Sequence, residues 1–424
     1  MLRTKWKSLA RGEQTSTPFP LSSDLSRRPI LTCRKSATLL AAGELSIPAV
    51  APGKSGKVLL PNDLTKIKSH KEVYLTVNLR LRDSTSWADA GHEIAWFQQE
   101  ISTAEPAVTS PLSRLNSTLR LSAETSGVEA TVAGQGFSFV FDKARGYLNS
   151  WVAGGVSLLE KDPLTKAAII PSFWRPPTDN DVSNSLIYWE RFGVDSMTSQ
   201  LRFFEIRAAA ETVEVIATTF LSPPVLDWGY EATTKYTISA VGALSIAVSL
   251  KPVGKHPEHV PRIGLNLRLP RTLDAVRWHG LGPGESYPDK AAAQRVGVWD
   301  VSSVAELQTP YDVPQENGNR MQTRWLGLTT PHGQGIRVVA GKPADWSHEA
   351  DRRFSFVASH HSAVALQKAA HPCDLVEEDT TLLRLDAKVA GVGTGACGPR
   401  VREDLMVNVE ALKFAFVLEA TGGL

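Results

Sequence analysis

Short segments in which apolar and polar residues alternate run through most of this 424-residue chain. Residues 73–82, VYLTVNLRLR, show the pattern most clearly, because almost every second residue is apolar. A period of two predicts a β-strand with one buried face and one solvated face. Similar segments, separated by Gly, Pro and Asp, occur at 136–141, 213–220, 233–238, 244–250, 263–269, 335–340, 354–358 and 412–418.

Helical patterns are scarce, and residues 185–192 carry the only clear one. About 310 residues of nearly continuous strand pattern without a repeat of 20–50 residues argue against a propeller. We therefore predict an all-β chain, dominated by one large antiparallel two-sheet sandwich.

The chain divides by composition into four parts. Residues 1–42 are basic, rich in Ser and Thr and without periodicity, which predicts a disordered leader, with an organelle-targeting peptide or a misassigned gene start as alternatives. Residues 43–102 predict a partial immunoglobulin-like β-sandwich. Residues 103–116 contain prolines among Ser, Thr and Ala and predict a linker, and residues 117–424 predict the large sandwich.

The smaller sandwich is called partial because it shows four strand patterns, whereas such domains usually have about seven strands. The four patterns lie at 44–48, 57–61, 73–82 and 92–101. A sandwich that is short of strands exposes an unpaired edge. We therefore expect either that a partner chain covers this edge or that the gene is truncated.

Overall composition excludes several classes of function. A net charge of +2 provides no electrostatic basis for binding nucleic acid, and no window approaches 18 uninterrupted apolar residues, so we predict no membrane span. Three widely spaced cysteines, Cys33, Cys373 and Cys397, fit neither a disulfide framework nor a zinc site and favour a reducing, cytoplasmic location. Eleven tryptophans against four methionines are typical of β-sandwich cores or of sugar-binding surfaces.

Residues 171–181, PSFWRPPTDND, have the composition of a rigid loop. Two adjacent prolines fix φ and remove two donors, and the Asp-Asn-Asp that follows can hydrogen-bond its own backbone. Aromatic residues beside short polar side chains suit a ligand with a flat face and polar groups, such as a sugar. The alternative is an Asx-type turn that is held by buried aromatic residues.

Five ordered motifs carry a resemblance to a known family. They lie at 173–181, 262–264, 278–289, 309–320 and 391–399. In this order and at this spacing they resemble the C-terminal domain of the large β-galactosidases of glycoside hydrolase family two, a region also known as the small chain of two-chain β-galactosidases. Upstream, residues 87–96 are similar to the sandwich domain that precedes it.

The resemblance implies a galactose mutarotase-like supersandwich and a role in hydrolysis of terminal β-D-galactosides such as lactose. In the family both catalytic glutamates lie in a (β/α)₈ barrel, and this chain shows no βαβ alternation. We therefore expect the chain to be inactive alone, to need a barrel-bearing chain or N-terminal half, and to form an oligomer in some assemblies. We expect no cofactor in this chain, because the family's Mg and Na sites lie mainly in the barrel.

The resemblance also implies which residues lie near the substrate. Cys397 occupies the position at which some members place a tryptophan that packs against the sugar or its aglycone, and a thiol offers far less stacking area. Asp179, Asn180 and Asp181 precede a segment that is mobile in the family. Ser183 stands where well-known members have a hinge glycine, so we expect this segment to swing less.

Two further carboxylates, Glu285 and Glu316, lie in motifs dominated by Gly, Pro and aromatic residues. Acids in such settings usually accept hydrogen bonds from backbone donors or from an arginine, for which we considered Arg320 and Arg295. We assign no catalytic residue in this chain. Two other functions stay open at this stage, a separate carbohydrate-binding module and an aldose 1-epimerase-like enzyme that uses His279 with Glu285.

Overall fold

A computed structural model describes residues 27–35, 38–45, 55–56, 72–102, 120–209, 211–341, 353–393 and 400–422. The chain divides into two compact units, residues 1–107 and 108–424. Several predicted features lie outside the described residues: the leader up to residue 26, the strand pattern at 57–61, the linker at 103–116, and Cys397.

The described part of the first unit is one antiparallel sheet of four strands. They are β1 (Arg27–Lys35), β2 (Thr38–Glu44), β3 (Val73–Leu81) and β4 (Glu93–Ser102), in the order β2-β1-β3-β4. The strands predicted at 73–82 and 92–101 are confirmed as β3 and β4. The prediction of a disordered leader is wrong from residue 27 onward, because β1 and β2 occupy that part of the sequence.

The composition of β1 and β2 explains why they were missed. Pro29 lies inside β1, and a proline normally argues against a strand because it cannot donate to the ladder. Here it pairs across to Leu79 of β3, whereas the pairing of β1 with β2 begins only at Ile30. The β2 sequence TLLAAGE has no alternation, so a period of two could not reveal it.

Regular secondary structure in the described part of the second unit is mostly antiparallel β-strand. Its strands are β5 (Ser122–Ser126), β6 (Glu129–Gly134), β7 (Phe137–Asp142), β8 (Tyr147–Ala153), β9 (Val156–Ser157), β10 (Ile169–Ser172), β11 (Thr198–Ala208), β12 (Thr212–Ser222), β13 (Gly229–Ser239), β14 (Leu244–Val253), β15 (His259–Val260), β16 (Arg262–Pro270), β17 (Ala275–Gly282), β18 (Arg295–Val301), β19 (Arg320–Thr323), β20 (Trp325–Thr329), β21 (Gly335–Ala340), β22 (Phe354–Ser359), β23 (Thr380–Val389), β24 (Val407–Asn408) and β25 (Leu412–Thr421).

Helices are few and short in the described residues. They are α1 (Asp179–Asn184), α2 (Leu186–Arg191), α3 (Ala363–Lys368) and the 3₁₀ turns Val194–Ser196, Val304–Leu307, Pro372–Asp374 and Glu403–Leu405. The helix predicted at 185–192 is confirmed as α2. No helix among the described residues is long and apolar enough to cross a membrane.

The all-β prediction is confirmed, but the described strands of the second unit form more sheets than the two predicted. A nine-stranded sheet has the order β11-β12-β13-β14-β25-β21-β20-β17-β18. One five-stranded sheet has the order β10-β16-β23-β22-β19, a second has the order β5-β6-β7-β8-β9, and β15 pairs with β24. Strands that follow one another in the chain, such as β11 to β14 and β5 to β8, pair as antiparallel hairpins with short turns, whereas β10, β16 and β23 are far apart in sequence.

One continuous core joins these sheets. Phe141 of β7 meets Tyr236 of β13 with ring centroids 5.2 Å apart, and Trp278 of β17 meets Phe356 of β22 at 5.9 Å. All four side chains are buried. Large aromatic side chains contribute most to such a core, because each removes a large apolar area from water.

The register of the five-stranded sheet brings three motifs to one end. Ser172, at the end of β10, pairs with Gly264 near the start of β16. Gly264 in turn pairs with Asp386 near the end of β23. The segments that leave β10 and β23, residues 173–178 and 390–393, therefore start from neighbouring positions although they are more than 200 residues apart in sequence.

Candidate functional site

The segment 173–181 is a folded loop that leads into a helix. Pro176 and Pro177 are buried, and Thr178 is the N-cap of α1. The Thr178 hydroxyl accepts from the Asp181 N–H at 3.3 Å, and the Asp181 carboxylate accepts from the Thr178 N–H at 2.8 Å. This reciprocal capping box satisfies donors at the start of α1. The prediction of a loop without helix is therefore wrong from Asp179 onward, and the Thr-x-x-Asp spacing was the available signal.

A fully buried ion pair organises this loop. Arg175 Nη1 lies 3.0 Å from Asp181 Oδ2, and Arg175 Nη2 donates to Asp181 Oδ1 at 3.2 Å. The Arg175 guanidinium also lies over the ring of Trp189, 5.8 Å from its centroid. Because burial of a charge is costly without a partner, this pair fixes the shape of the loop. Asp181 is therefore a structural residue rather than a direct ligand for a sugar.

Asn180 connects the same loop to the glycine-rich segment after β23. Its side-chain Nδ2 donates to the Val392 carbonyl at 2.9 Å, and Arg175 Nη2 donates to the Gly391 carbonyl at 3.1 Å. Asn180 is 6% exposed, and among the residues that the structure describes its Oδ1 has no hydrogen-bond partner. The motif at 391–399 is thus joined to the motif at 173–181 through its first described residues.

A second pair of contacts brings in the motif at 309–320. The Asp179 N–H donates to Gln315 Oε1 at 3.2 Å, and Gln315 Nε2 donates to Asp179 Oδ2 at 3.3 Å. Asp179 is exposed and Gln315 is half-buried. Ser183 lies in α1, is exposed, and donates to the Asn180 carbonyl at 3.3 Å. Asp179 and Ser183 therefore lie on the solvent side of the loop.

Asp289 brings in the motif at 278–289. Its two carboxylate oxygens accept from the Val392 N–H at 2.9 Å and the Gly393 N–H at 2.8 Å. Four motifs that are far apart in sequence therefore meet at one end of the second unit. We name this meeting point the rim, and define it by residues 173–184, 283–290, 309–319 and 391–393.

Glu285 of the rim is held by several donors. It accepts from Lys290, from the Tyr311 hydroxyl and, at 2.8 Å, from the Gly318 N–H. Burial by itself would raise the pKa of Glu285, but these hydrogen bonds outweigh it and lower the pKa below its ordinary value of 4.5. A general acid in a glycosidase needs the opposite shift. Glu285 is therefore unsuited to donate a proton to a leaving group.

Glu316 is also held by several hydrogen-bond donors. Arg384 Nη2 donates to both of its oxygens, at 2.7 and 2.6 Å, and the Tyr287 hydroxyl donates to Oε1 at 3.1 Å. Arg262 pairs with Asp386 in the same interior, and both side chains are buried. The prediction that these acids accept from backbone donors or from an arginine agrees with the Gly318 N–H at Glu285 and with Arg384 at Glu316.

Arg320, one of the two arginines considered for these acids, hydrogen-bonds backbone carbonyls. It donates to the carbonyls of Pro283, Leu307 and Gly318, at 3.1, 3.2 and 2.7 Å. Sequence distance hides the true partners, because Arg384 follows Glu316 by 68 residues. Gln315, Asp289 and Arg384 were missed for the same reason, although all but Arg384 lie inside motifs that the sequence singled out.

The rim offers no obvious metal centre. Across the described ranges, no group of three or more His, Cys, Asp or Glu side chains could hold an ion. The His279 and Glu285 pair considered for an epimerase is 4% and 8% exposed, respectively. An acid and a base that flank a sugar must face it, so this pair does not fit that chemistry.

Comparisons with known proteins agree with the motifs. Residues 133–418 match the family described as "Beta galactosidase small chain", and residues 24–102 match "Beta-galactosidase, domain 4". The chain belongs to the β-galactosidase family. The resemblance to the C-terminal region of a β-galactosidase is confirmed, and the domain-4 match, which begins at residue 24, includes β1 and β2.

Individual β-galactosidases match over most of this chain. The enzyme from Kluyveromyces lactis is 31% identical over 377 residues, which are 88% of this chain and 34% of that protein. The enzyme from an Arthrobacter species is 27% identical over 400 residues, 88% of this chain and 36% of that protein. The chain spans about one third of the length of these relatives.

Solved structures of two other proteins also align with the chain. A galactose 1-epimerase from Lactobacillus acidophilus aligns with a TM-score of 0.37 and 8% identity, over 71% of this chain and 98% of its own. A galactose mutarotase related enzyme from the same species aligns with a TM-score of 0.35 and 10% identity, over 69% and 97%.

Proposed function

We propose that this chain forms the sugar-facing rim of a β-galactosidase that hydrolyses terminal β-D-galactosides such as lactose. The observation that carries the proposal is the convergence of four separate polar motifs at one end of the second unit, joined by Asp179 with Gln315 and by Asn180 and Asp289 with residues 391–393. Functional residues commonly lie on loops that a rigid β-scaffold holds in place.

We propose that the catalytic acids come from a barrel-bearing segment outside this chain. A retaining glycosidase needs two carboxylates about 5–5.5 Å apart, one of them with a raised pKa. Each buried carboxylate of the rim forms an ion pair with an arginine or lysine side chain; these carboxylates are Asp181, Glu285 and Glu316. Because their oxygens are held in ion pairs, these carboxylates are poorly suited to attack or to protonate a sugar.

The rim has exposed polar groups that suit a sugar. Asp179, Asp289 and Lys290 are exposed, and Gln315 and Tyr311 are half-buried. Carboxylate, amide, ammonium and phenol groups hydrogen-bond readily to hydroxyls. We keep Cys397 as a residue near the sugar or its aglycone, on the basis of the resemblance alone.

The direct test uses a fusion in which this chain replaces the matching third of the Kluyveromyces lactis enzyme. We expect the isolated chain to release no o-nitrophenol from o-nitrophenyl β-galactoside, and the fusion to release it. A relative truncated before the matching third is the control and should be inactive. Hydrolysis by the isolated chain would refute the proposal, as would an inactive fusion that is folded by circular dichroism.

Two measurements on the isolated chain distinguish the remaining alternatives. If the isolated chain binds galactose tightly by calorimetry and the fusion does not hydrolyse the galactoside, a carbohydrate-binding module is favoured. Faster mutarotation of α-galactose would favour an epimerase. Every tryptophan in the described residues of the second unit is buried or half-buried, so a lectin surface built on tryptophan stacking there has little support.

The location and assembly of the protein are also part of the proposal. A reducing, cytoplasmic site agrees with Cys373, which is a free and exposed thiol. We propose that the barrel-bearing segment is the principal partner of this chain, and that assembly into larger oligomers depends on it. Size-exclusion chromatography of the isolated chain and of the fusion would show which of them self-associates.

A further inference from the structure

The backbone of residues Gly391 to Gly393 is held by side chains from separate motifs. The Gly391 carbonyl accepts from Arg175 Nη2 at 3.1 Å, and the Val392 carbonyl accepts from Asn180 Nδ2 at 2.9 Å. The Gly391 N–H donates to the Leu405 carbonyl at 2.9 Å. These contacts fix one side of the segment.

Asp289 holds the other side. Its Oδ1 accepts from the Val392 N–H at 2.9 Å and its Oδ2 from the Gly393 N–H at 2.8 Å. Successive backbone N–H groups that converge on one anion form a concave site for it. Over the described ranges Asp289 makes no ion pair, so its carboxylate serves these two donors. We call Asn180 and Asp289 together the rim clamp.

The close approach of the rim clamp explains why residues 391 and 393 are glycines. A Cβ atom on Gly391 would lie closer than 3.0 Å to Asp289 Oδ2. A Cβ atom on Gly393 would lie closer than 3.0 Å to Asn180 Nδ2, and Gly393 also has φ +83. Side chains other than glycine would therefore push the rim clamp away from the backbone that it holds.

Asp289 lies at the surface, which distinguishes it from a purely structural core residue. It is exposed, while Val392 and Gly393 are half-buried. Exposed polar groups that hold a backbone in one shape reduce the ordering cost of binding, because the shape exists before the ligand arrives. Residue 393 precedes Cys397 by four positions in the sequence.

We propose that Asn180 and Asp289 are positioning residues for galactoside binding. They hold residues 391–393 in the arrangement that meets the sugar, and they take no part in bond cleavage. This inference rests on the proposed function of the rim. Loss of either side chain should weaken substrate binding and leave the chemical step nearly unchanged.

The first test measures hydrogen exchange of the isolated chain. Asp289→Asn keeps one acceptor oxygen but turns an NH₂ group toward a backbone N–H, so one of the two hydrogen bonds is lost. We expect the amide that loses its hydrogen bond, Val392 or Gly393, to exchange about fivefold to tenfold faster. Asp300→Asn is the matched control, because Asp300 is also exposed and lies on edge strand β18. It should leave both amides unchanged.

The second test measures kinetics in the fusion with the Kluyveromyces lactis segment. We expect Asp289→Asn and Asn180→Ala to raise KM for o-nitrophenyl β-galactoside about fivefold, with kcat within about twofold of the parent. Asp289→Glu retains both acceptor oxygens and should recover part of the KM change. Asp300→Asn should match the parent in both constants.

The outcomes separate the two proposals. Unchanged exchange at Val392 and Gly393 in Asp289→Asn would show that the rim clamp does not exist in solution. Faster exchange with an unchanged KM, or a fall in kcat alone, would overturn the positioning role while leaving the proposed function intact. A parent fusion that is folded but inactive would refute the proposed function, and with it the positioning role, whatever the exchange result.

Discussion

Arg175 and Asp181 form a buried ion pair in which Nη1 lies 3.0 Å from Oδ2. The exposed fractions of the two side chains are 0% and 1%, respectively. Six residues apart, they close the loop that contains Pro176 and Pro177. The same guanidinium reaches the Gly391 carbonyl. This pair therefore sets both the shape of the loop and its attachment to the segment after β23.

Removal of one partner should be strongly destabilising. Asp181→Ala leaves the Arg175 charge buried without its partner, so we expect a loss of about 3–5 kcal/mol in the free energy of unfolding, measured with urea. Asp404→Ala removes the exposed partner of Arg402 and should cost at most about 1 kcal/mol. Equal losses in the two variants would contradict the structural role of the buried pair.

A double replacement provides a sharper check on the same pair. Arg175→Met with Asp181→Leu removes both charges and keeps similar volume. Since apolar replacement of a whole buried pair is often nearly neutral, the double variant should be more stable than Asp181→Ala. A double variant less stable than the single one would mean that the hydrogen bond to Gly391 dominates.

Glu285 should make stability depend on pH. Its pKa is lower in the folded chain than its ordinary value of 4.5, because hydrogen bonds from Lys290, Tyr311 and Gly318 outweigh the effect of burial. Such a group stabilises the fold above its unfolded pKa and loses that contribution as the pH falls through the folded value. Glu285→Gln should therefore cost most at pH 7, and the cost should shrink as the pH falls below 4.5.

Urea unfolding at a series of pH values would measure this dependence. Glu403→Gln is the control, because the Glu403 side chain is 85% exposed. It should change the unfolding free energy little at any pH. If the loss of unfolding free energy in Glu285→Gln grew as the pH fell, this would contradict the lowered pKa of Glu285.

Two glycines test the importance of close backbone approach. Gly254 and Gly127 both have positive φ, +76 and +54, but only at Gly254 would a Cβ atom come closer than 3.0 Å to a backbone carbonyl, that of Asp227. We expect Gly127→Ala to cost about 1–2 kcal/mol from conformation alone. Gly254→Ala should cost about 1–3 kcal/mol more, because the clash adds to it. Similar unfolding free energies for the two variants would contradict this difference.

Ser183 tests whether the segment after Asp181 is restrained. Because Ser183 lies inside α1, glycine there should weaken the helix by about 0.5–1 kcal/mol. This corresponds to roughly twofold to fivefold faster amide exchange across α1. Ser183→Ala keeps the helical preference and should not accelerate exchange. Equal exchange in the Gly and parent chains would remove Ser183 as a determinant of mobility.

The sequence predicted the strands with clear alternation and missed those without it. Residues 244–250 and 335–340 became β14 and β21 because one face of each strand packs on the core while the other stays half-exposed. In β2 the alternation is absent, and pairing with β1 holds the strand instead. This hairpin joins the sheet because β1 also pairs with β3, much further along the chain, and the pattern of β2 alone cannot report that pairing.

The candidate site was also only partly predictable from the sequence. The five motifs were visible in the sequence because their prolines, glycines and aromatic residues are unusual locally. The pairing of Glu316 with Arg384, and of Asp289 with Val392 and Gly393, was not visible, because each pair is separated by many residues. The sequence also did not show that Asp181 is buried in an ion pair, whereas Ser183 lies exposed on α1. That both lie near the substrate stays a prediction.

By itself, the sequence determined that this chain is β-structured and related to the β-galactosidases. Hydrophobic periodicity is a property of neighbouring residues, and the order of the motifs can be read directly along the chain. The tertiary structure alone decided which charges neutralise one another and which motifs form the rim. Those choices depend on strand register, which brings Ser172, Gly264 and Asp386 into one row. Register follows from the packing of the whole core, so no single stretch of the chain encodes it.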